Sequence, residues 1–89
     1  MGLEFKLETY DHLLTDIPSF ITAIPEFLSS ERGQWHLSID GETVAVTVRQ
    51  DDENLFLTQH VACRETDALL GLLIRRLLSQ NDNVVVSEV

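Results

Sequence analysis

The chain contains a single cysteine, Cys63, among 89 residues, so an internal disulfide bond is impossible. Sparse cysteine is typical of a reducing compartment, and we expect a cytoplasmic protein. A signal peptide is not expected, because the first four residues, MGLE, lack the basic start and the apolar run of such a segment. A membrane span is not expected either, since the richest apolar stretch, residues 68–78, is shorter than about 18 residues and contains two arginines.

Basic residues are also scarce. Six lysines and arginines stand against fifteen acidic residues, which gives a net charge of −9. This balance predicts repulsion from nucleic acids and from anionic membrane surfaces, so neither is an expected partner. Double-stranded-RNA-binding domains share the order helix, three strands, helix, but their second helix begins with basic residues. Here that start reads RETD at residues 64–67, which excludes this class.

Motifs for phosphate binding are missing. The four glycines lie far apart, at positions 2, 33, 41 and 71, so no glycine-rich loop can cradle a phosphate.

His60 and Cys63 have a metal-like spacing, but zinc requires three or four ligands. Along a strand the two side chains would point to opposite sides, which also argues against a Cys–His nucleophile. We therefore interpret His60 as a surface histidine and Cys63 as a buried structural thiol.

Two acidic clusters remain. Residues 51–53, DDE, lack the glycine-bearing calcium-loop pattern and are interpreted as a solvated turn. Asp11 and His12, near Asp16, are interpreted as part of a helix start and not as an acid–base pair. We therefore expect a protein that is not an enzyme, with no catalytic residues, no metal and no cofactor.

The hydrophobic pattern nevertheless indicates a folded domain spanning residues 1–89. Alternation in LEFKLETY, residues 3–10, predicts a half-buried strand. Apolar residues then recur at helical spacing in residues 17–32, where Thr15 or Asp16 can cap the helix. Pro25 interrupts this helix, so we expect a kink or two short helices, ending at Gly33. The members of the apolar stripe are Phe20, Ile21, Ile24, Phe27 and Leu28.

A hairpin is predicted from WHLSIDGETVAVTV, residues 35–48. Asp-Gly between alternating runs is typical of a two-residue type I′ turn. That turn would place Trp35 opposite Val46 and Leu37 opposite Val44. A third strand, NLFLTQHVAC, would follow a polar turn and continue the same apolar face, with Val48 opposite Leu55.

The C-terminal part predicts a second helix and a last strand. The helix is expected in TDALLGLLIRRLLSQNDN with Thr66 as its cap, and VVVSEV is expected to be a strand. The order is then β-α-β-β-β-α-β. We expect an α+β fold, with an antiparallel sheet that carries two helices on one face.

Two surfaces could bind a partner. The sheet face away from the helices is expected to be mostly small, neutral and hydroxyl-bearing, with one aromatic residue. On the second helix, Leu72 widens the apolar band beyond what so small a domain can bury. We therefore expect a homodimer or another protein partner. The expected interface residues are Phe56, Leu72, His36, Thr47, Thr58 and His60, and the expected members of the outer sheet face also include Ser38, Thr43, Ala45 and Arg49.

Residues 17–78 resemble the front part of class I type III secretion chaperones. The matching stretches are IPSFITAIPEFL, WHLSIDGETVAVTV, LFLTQHV and LLGLLIRRLL, in the order helix, strand meander, apolar helix. The chain departs from that family by its initial strand and by the lack of a third helix after the second. The resemblance implies a small, acidic, dimeric protein of the bacterial cytoplasm that holds a partner segment.

Two functional hypotheses follow. The first is a non-enzymatic binding module, chaperone- or adaptor-like, that holds a protein segment or a second copy. The alternative is an acidic inhibitor, either a nucleic-acid mimic or an immunity-type protein, that blocks a basic site. Salt separates them, because charge mimicry weakens above about 0.15 M salt whereas apolar docking persists.

Overall fold

The first and last strands of the chain lie side by side at one end of the sheet. The computed structural model describes residues 3–9, 17–51, 54–79 and 83–89. Within these ranges it contains six strands and two helices: β1 (Leu3–Thr9), α1 (Ile17–Ala23), β2 (Phe27–Glu31), β3 (Gln34–Leu37), β4 (Val46–Asp51), β5 (Asn54–Gln59), α2 (Arg64–Leu78) and β6 (Val84–Glu88).

The six described strands form one antiparallel sheet in the order β2-β3-β4-β5-β1-β6. Both helices cover the same face, since Ile17 and Ile21 of α1 and Leu73 of α2 belong to one buried cluster with the strand residues. The expected α+β class, with two helices on one sheet face, is confirmed. The order differs from the expected one by an additional strand, β2.

The core lies where the alternating apolar residues of four strands meet the helices. Cross-strand partners such as Leu7 and Leu55, or Val48 and Leu57, point to the same side of the sheet. Each fully buried leucine contributes about 1.5–3 kcal/mol in transfer free energy. The buried apolar side chains are Leu7, Ile17, Ile21, Trp35, Leu37, Ala45, Val46, Val48, Leu55, Leu57, Leu69, Leu73 and Leu77.

The predicted helix over residues 17–32 was wrong in its second half. Helix α1 ends at Ala23, and the residues after Pro25 form β2, which pairs with β3. Proline lacks the N–H that a continuing helix needs, so the chain can leave the helical path there. Gly33 ends β2 and not a helix: Arg32 and Gly33 have φ of 37° and 77°, and they link Glu31 to Gln34 as a tight two-residue turn.

The predicted register of the central hairpin was wrong by two residues. Trp35 lies opposite Val48 and not Val46, and Leu37 lies opposite Val46. The connection is therefore the eight-residue loop 38–45 and not a two-residue Asp-Gly turn. A shift of two preserves the face to which each side chain points, which explains why the predicted apolar face is correct. The next pairing is displaced in the same way, since Val48 lies opposite Leu57 and not Leu55.

The two elements at the C-terminal end agree with the expectation in type. The last strand is present as Val84–Glu88 and pairs with β1. Helix α2 begins earlier than expected, because its N-cap is Cys63 and Thr66 is the third residue of its first turn. Neither helix in the described ranges has the length and apolar composition needed to span a bilayer.

Candidate partner-binding groove

The loop over residues 38–45 is held together by the carboxylate of Asp40. Its Oδ1 accepts hydrogen bonds from the backbone N–H groups of Glu42 (2.9 Å) and Thr43 (2.8 Å) and from the hydroxyl of Ser38 (3.0 Å). The Ser38 hydroxyl in turn accepts the N–H of Gly41 at 2.9 Å. Local bonds of this kind replace the sheet ladder and therefore favour a wide loop over a tight turn.

These bonds also set the charge of Asp40. The backbone N–H groups of Thr43 and Glu42, followed by the Ser38 hydroxyl, lower the pKa of Asp40 from 3.8 to about 2. The carboxylate is thus charged at any physiological pH, and the loop keeps its shape. Beside it, Ile39 projects outward with 44% of its surface exposed.

The start of α2 is fixed by the buried hydroxyl of Thr66. Its Oγ1 accepts hydrogen bonds from Nε2 of Gln59 at 2.6 Å and from the backbone N–H of Cys63 at 3.1 Å. The Thr66 hydroxyl itself donates to the carbonyl oxygen of Val61 at 2.7 Å. One donated and two accepted bonds use the full capacity of a hydroxyl.

Gln59 ties this network to the sheet. It is the last residue of β5, and its side-chain amide donates to Thr66 and also to Asp67 Oδ1 at 3.0 Å. The first turn of α2 is therefore held at a defined place above the end of β5. That position determines where the exposed flank of α2 lies relative to the loop 38–45.

Between that flank and the loop lies an apolar groove of about 370 Å³. This volume is in the range of small-ligand and side-chain pockets. Leu72 and Ile39 are its exposed large apolar side chains, and Glu26 and Glu65 are its acidic members. The residues that line this groove, called the α2 groove below, are Glu26, Ile39, Glu65, Ala68, Leu69 and Leu72.

The α2 groove can hold an apolar side chain next to a positive charge. Its floor offers contact area without hydrogen-bond donors, and its two glutamates are suited to a lysine or arginine on the same ligand. Among the described residues, no group of three or more His, Cys, Asp or Glu side chains is arranged to hold a metal ion.

The outer sheet face carries a hydrogen-bond network centred on Thr47. Its Oγ1 lies 3.2 Å from Nδ1 of His36 and 2.9 Å from Nε2 of His60. His36 Nε2 also lies 3.3 Å from a carboxylate oxygen of Glu31. The structure thus brings together three of the expected interface residues, His36, Thr47 and His60, and their side chains bond one another.

Two further expected residues lie on the same face and are also paired. The guanidinium of Arg49 lies 4.3 Å from the centre of the Phe56 ring, at cation–π distance. Thr58 lies opposite Thr47 and donates to Glu4 Oε2 at 3.3 Å. The outer face is therefore a half-buried surface whose side chains mostly contact each other.

The expected interface residues do not form one surface. Leu72 lies on α2, which covers the core face of the sheet, whereas the other five lie on the opposite face or at its end. Three expected members of the outer face are wrong: Ser38 and Ala45 are buried in the loop 38–45, and Thr43 is exposed there. The loop exists because of the Asp40 bonds, so these residues leave the strand pattern.

Several residues named from the sequence lie outside the described residues. These are the proposed caps Thr15 and Asp16, the pair Asp11 and His12, and Asp52 and Glu53 of the acidic turn. His60 is exposed, as expected, whereas Cys63 is half-buried at the start of α2 and not fully buried.

Most residues of the α2 groove were not predicted from the sequence. Leu72 was expected at an interface, whereas Ile39, Ala68, Glu26 and Glu65 were not. Ser-x-Asp-Gly at residues 38–41 is a signal for a side-chain-stabilised turn that exposes Ile39. No local signal brings Glu26 near α2, since this contact depends on where β2 begins.

The chain was compared with protein-family models, with curated proteins and with solved structures. None of these comparisons found a match.

Proposed function

We propose that the protein is a non-enzymatic binding module, chaperone- or adaptor-like, that holds an apolar and basic segment of a partner protein in the α2 groove. The observation that carries this proposal is the pairing of exposed Ile39 and Leu72 across a groove with two glutamates in its lining. The single cysteine supports action in the cytoplasm.

The apolar part of the groove supports docking because its side chains remain in water. Leu72 is 38% exposed and stands in the middle of a fifteen-residue helix in which leucines 69, 73 and 77 are buried. A partner side chain placed between Leu72 and Ile39 would remove apolar surface from water on both molecules. An anchor of leucine size contributes about 1.5–3 kcal/mol when it is fully buried.

The charges support a basic partner. Glu26 and Glu65 line the groove, and the whole chain carries −9. A net charge of this size speeds the approach of a basic segment and repels an acidic one. The groove would then orient the segment, with its apolar residue inside and its basic residue beside a glutamate.

The proposal is tested with two synthetic peptides. Both have leucines at helical spacing, and the remaining positions are lysine in one peptide and glutamate in the other. We expect the lysine peptide to shift the amide resonances of Ile39, Ala68 and Leu72 in a saturable manner, and the glutamate peptide to shift none. Leu72→Glu should abolish these shifts. Leu28→Glu is the control, because Leu28 on β2 is equally exposed, at 36%, but does not line the groove.

Saturable shifts confined to other surfaces would contradict the proposal. So would a Leu72→Glu variant that is folded and binds the lysine peptide as tightly as the unmodified chain. The fold of both variants is checked by circular dichroism, and neither is expected to unfold, since exposed substitutions cost within about 0.5 kcal/mol.

The alternative function is an acidic inhibitor that mimics nucleic acid or blocks a basic site. It is supported by the net charge of −9. Charge mimicry would not need Leu72, so Leu72→Glu would preserve inhibition, and binding would weaken steeply above about 0.15 M salt. Docking in the α2 groove predicts the opposite results. Leu72→Glu would lose binding, and the unmodified chain would still bind in part at high salt.

The resemblance to type III secretion chaperones stays a prediction, as does a partner on the outer sheet face. In the first matching stretch, residues 17–28, the structure has α1 followed by the start of β2. The proposal places the partner in the α2 groove and not on the outer face, because His36, Thr47 and Thr58 of the outer face already make side-chain hydrogen bonds within the chain.

A further inference from the structure

The two edges of the sheet differ in how well they could accept another strand. At β2, the pairing shifts register between Phe27 and Ser29, and the exposed residues are largely Ser and Glu. At β6, the register with β1 is regular over all five residues, and the strand reads VVVSE. Natural edge strands are usually blocked by a bulge, a proline or a lysine, and β6 has none of these.

The backbone of β6 has free hydrogen-bonding groups along its outer side. The N–H of Val89 donates to the carbonyl of Glu4 at 2.8 Å, so Val89 faces β1. In an antiparallel ladder alternate residues face the same neighbour. Val84, Val86 and Glu88 therefore direct their N–H and C=O groups away from β1, and no strand in the described ranges pairs with that side.

Three apolar side chains are exposed at this edge. Val85, Val86 and Val89 are 38%, 43% and 70% exposed. Valine is among the residues that best suit a paired, half-buried strand. Main-chain groups and side chains thus both favour the addition of a strand at this edge.

We propose that a second copy of this chain occupies the edge, through antiparallel pairing of β6 with β6 about a two-fold axis at Val86. In this register Val86 meets Val86 of the copy and Val84 meets Glu88. All outward backbone groups of the three residues then find partners. The two copies would form one continuous sheet of twelve strands, counted over the described ranges.

The sequence at the centre of this edge suits pairing with a second copy. Its three valines carry no charge, so two copies can meet here without like charges directly opposite each other. In the proposed register the two Glu88 residues are offset by four residues, or about 14 Å along the strands. That separation exceeds the screening length of about 8 Å at physiological salt, so their repulsion is weak.

The proposed dimer would keep the α2 groove open. Glu26 lines the groove and lies next to β2, at the opposite end of the strand order from β6. Pairing through β6 would therefore place the two grooves at the far ends of the joined sheet. This inference does not rest on the function proposed above, and either one can fail alone.

Val86→Pro tests the pairing, because it removes an outward N–H and no bond to β1. Val86→Thr is the matched control, since it keeps the N–H and the branched shape. The two-fold axis makes the proline remove two hydrogen bonds at once, so we expect its dimer dissociation constant, measured by sedimentation, to rise at least about tenfold. The threonine variant should stay within about threefold of the unmodified chain.

Amide hydrogen exchange decides the matter even if the proline disturbs β6. In the unmodified chain we expect the amides of Val84, Val86 and Glu88 to lose protection on dilution, while Ser87 and Val89 stay protected. Raising salt should tighten the dimer, because each copy carries −9. A monomer up to about 1 mM, protection that is independent of concentration, or a folded Val86→Pro variant that dimerises normally would overturn the proposal.

Discussion

Replacing Thr66 by valine should destabilise the protein far more than a normal cap substitution does. Thr66 is 1% exposed, and its hydroxyl joins the Gln59 amide, the Cys63 backbone and the Val61 carbonyl. Valine has nearly the same shape, so it leaves no large cavity. It does leave the Gln59 and Cys63 donors without this acceptor in a buried place, at about 1–3 kcal/mol for each.

We therefore expect Thr66→Val to reduce the free energy of unfolding by about 2–4 kcal/mol. Loss of an ordinary exposed N-cap costs only about 1 kcal/mol. A domain of 89 residues has roughly 4–13 kcal/mol of stability in total, so the variant loses a large share. The melting temperature should fall by at least about 8 °C, since each kcal/mol shifts it by about 4–8 °C at this size.

Urea unfolding followed by the fluorescence of Trp35 measures this directly, because Trp35 is the only tryptophan and is buried. Thr66→Ser is the matched control: it keeps the hydroxyl and should lose only about 1 kcal/mol for the missing methyl group. If Thr66→Val lost no more stability than Thr66→Ser, the hydroxyl network would not hold α2 and would not set the position of the α2 groove.

Two further predictions concern the loop 38–45 and the core. The stabilising contribution of the Asp40 carboxylate is present above about pH 4 and lost as the pH falls toward its lowered pKa of about 2. Amide exchange at Thr43 should therefore speed up in acid, and Asp40→Ala should show the faster exchange already at pH 7. Leu73→Ala should cost about 2–5 kcal/mol, because Leu73 is fully buried, whereas Leu72→Ala, one residue away, should cost less than about 1 kcal/mol in urea unfolding.

Five of the six described strands, all except β2, could be predicted from the sequence because alternation constrains which face each residue takes. Trp35, Leu37, Val46 and Val48 do share the core face as expected. Alternation does not constrain the register beyond steps of two, and the turn must decide it. The decisive interaction is the set of bonds from Asp40 to its own loop, which outweighs the usual Asp-Gly turn.

The helix over residues 17–32 could not be predicted correctly for a related reason. Phe20, Ile24 and Phe27 all pack against the core, which produces the spacing of an amphipathic helix. The chain reaches this arrangement with a short helix followed by a strand. Pairing of β2 with β3 selects that conformation, and the sequence of one segment alone does not show which strand it will pair with.

The candidate site was predictable only in part. Leu72 could be identified, because it widens the apolar band of α2 beyond the buried stripe. Two further lining residues, Ile39 and Glu26, are distant from α2 in sequence and are brought to it by the loop 38–45 and by the segment just before β2. Likewise, the roles of Gln59 and Thr66 depend on where β5 ends relative to the helix.

Nuclear Overhauser effects between methyl groups show whether the α2 groove holds an apolar side chain of a partner. The sample is the protein saturated with the leucine–lysine peptide. We expect contacts from the peptide leucine methyls to the methyls of Ile39 and Leu72. Contacts only to Thr47 and Thr58 on the outer sheet face, or none to Ile39 and Leu72 at saturation, would contradict this expectation.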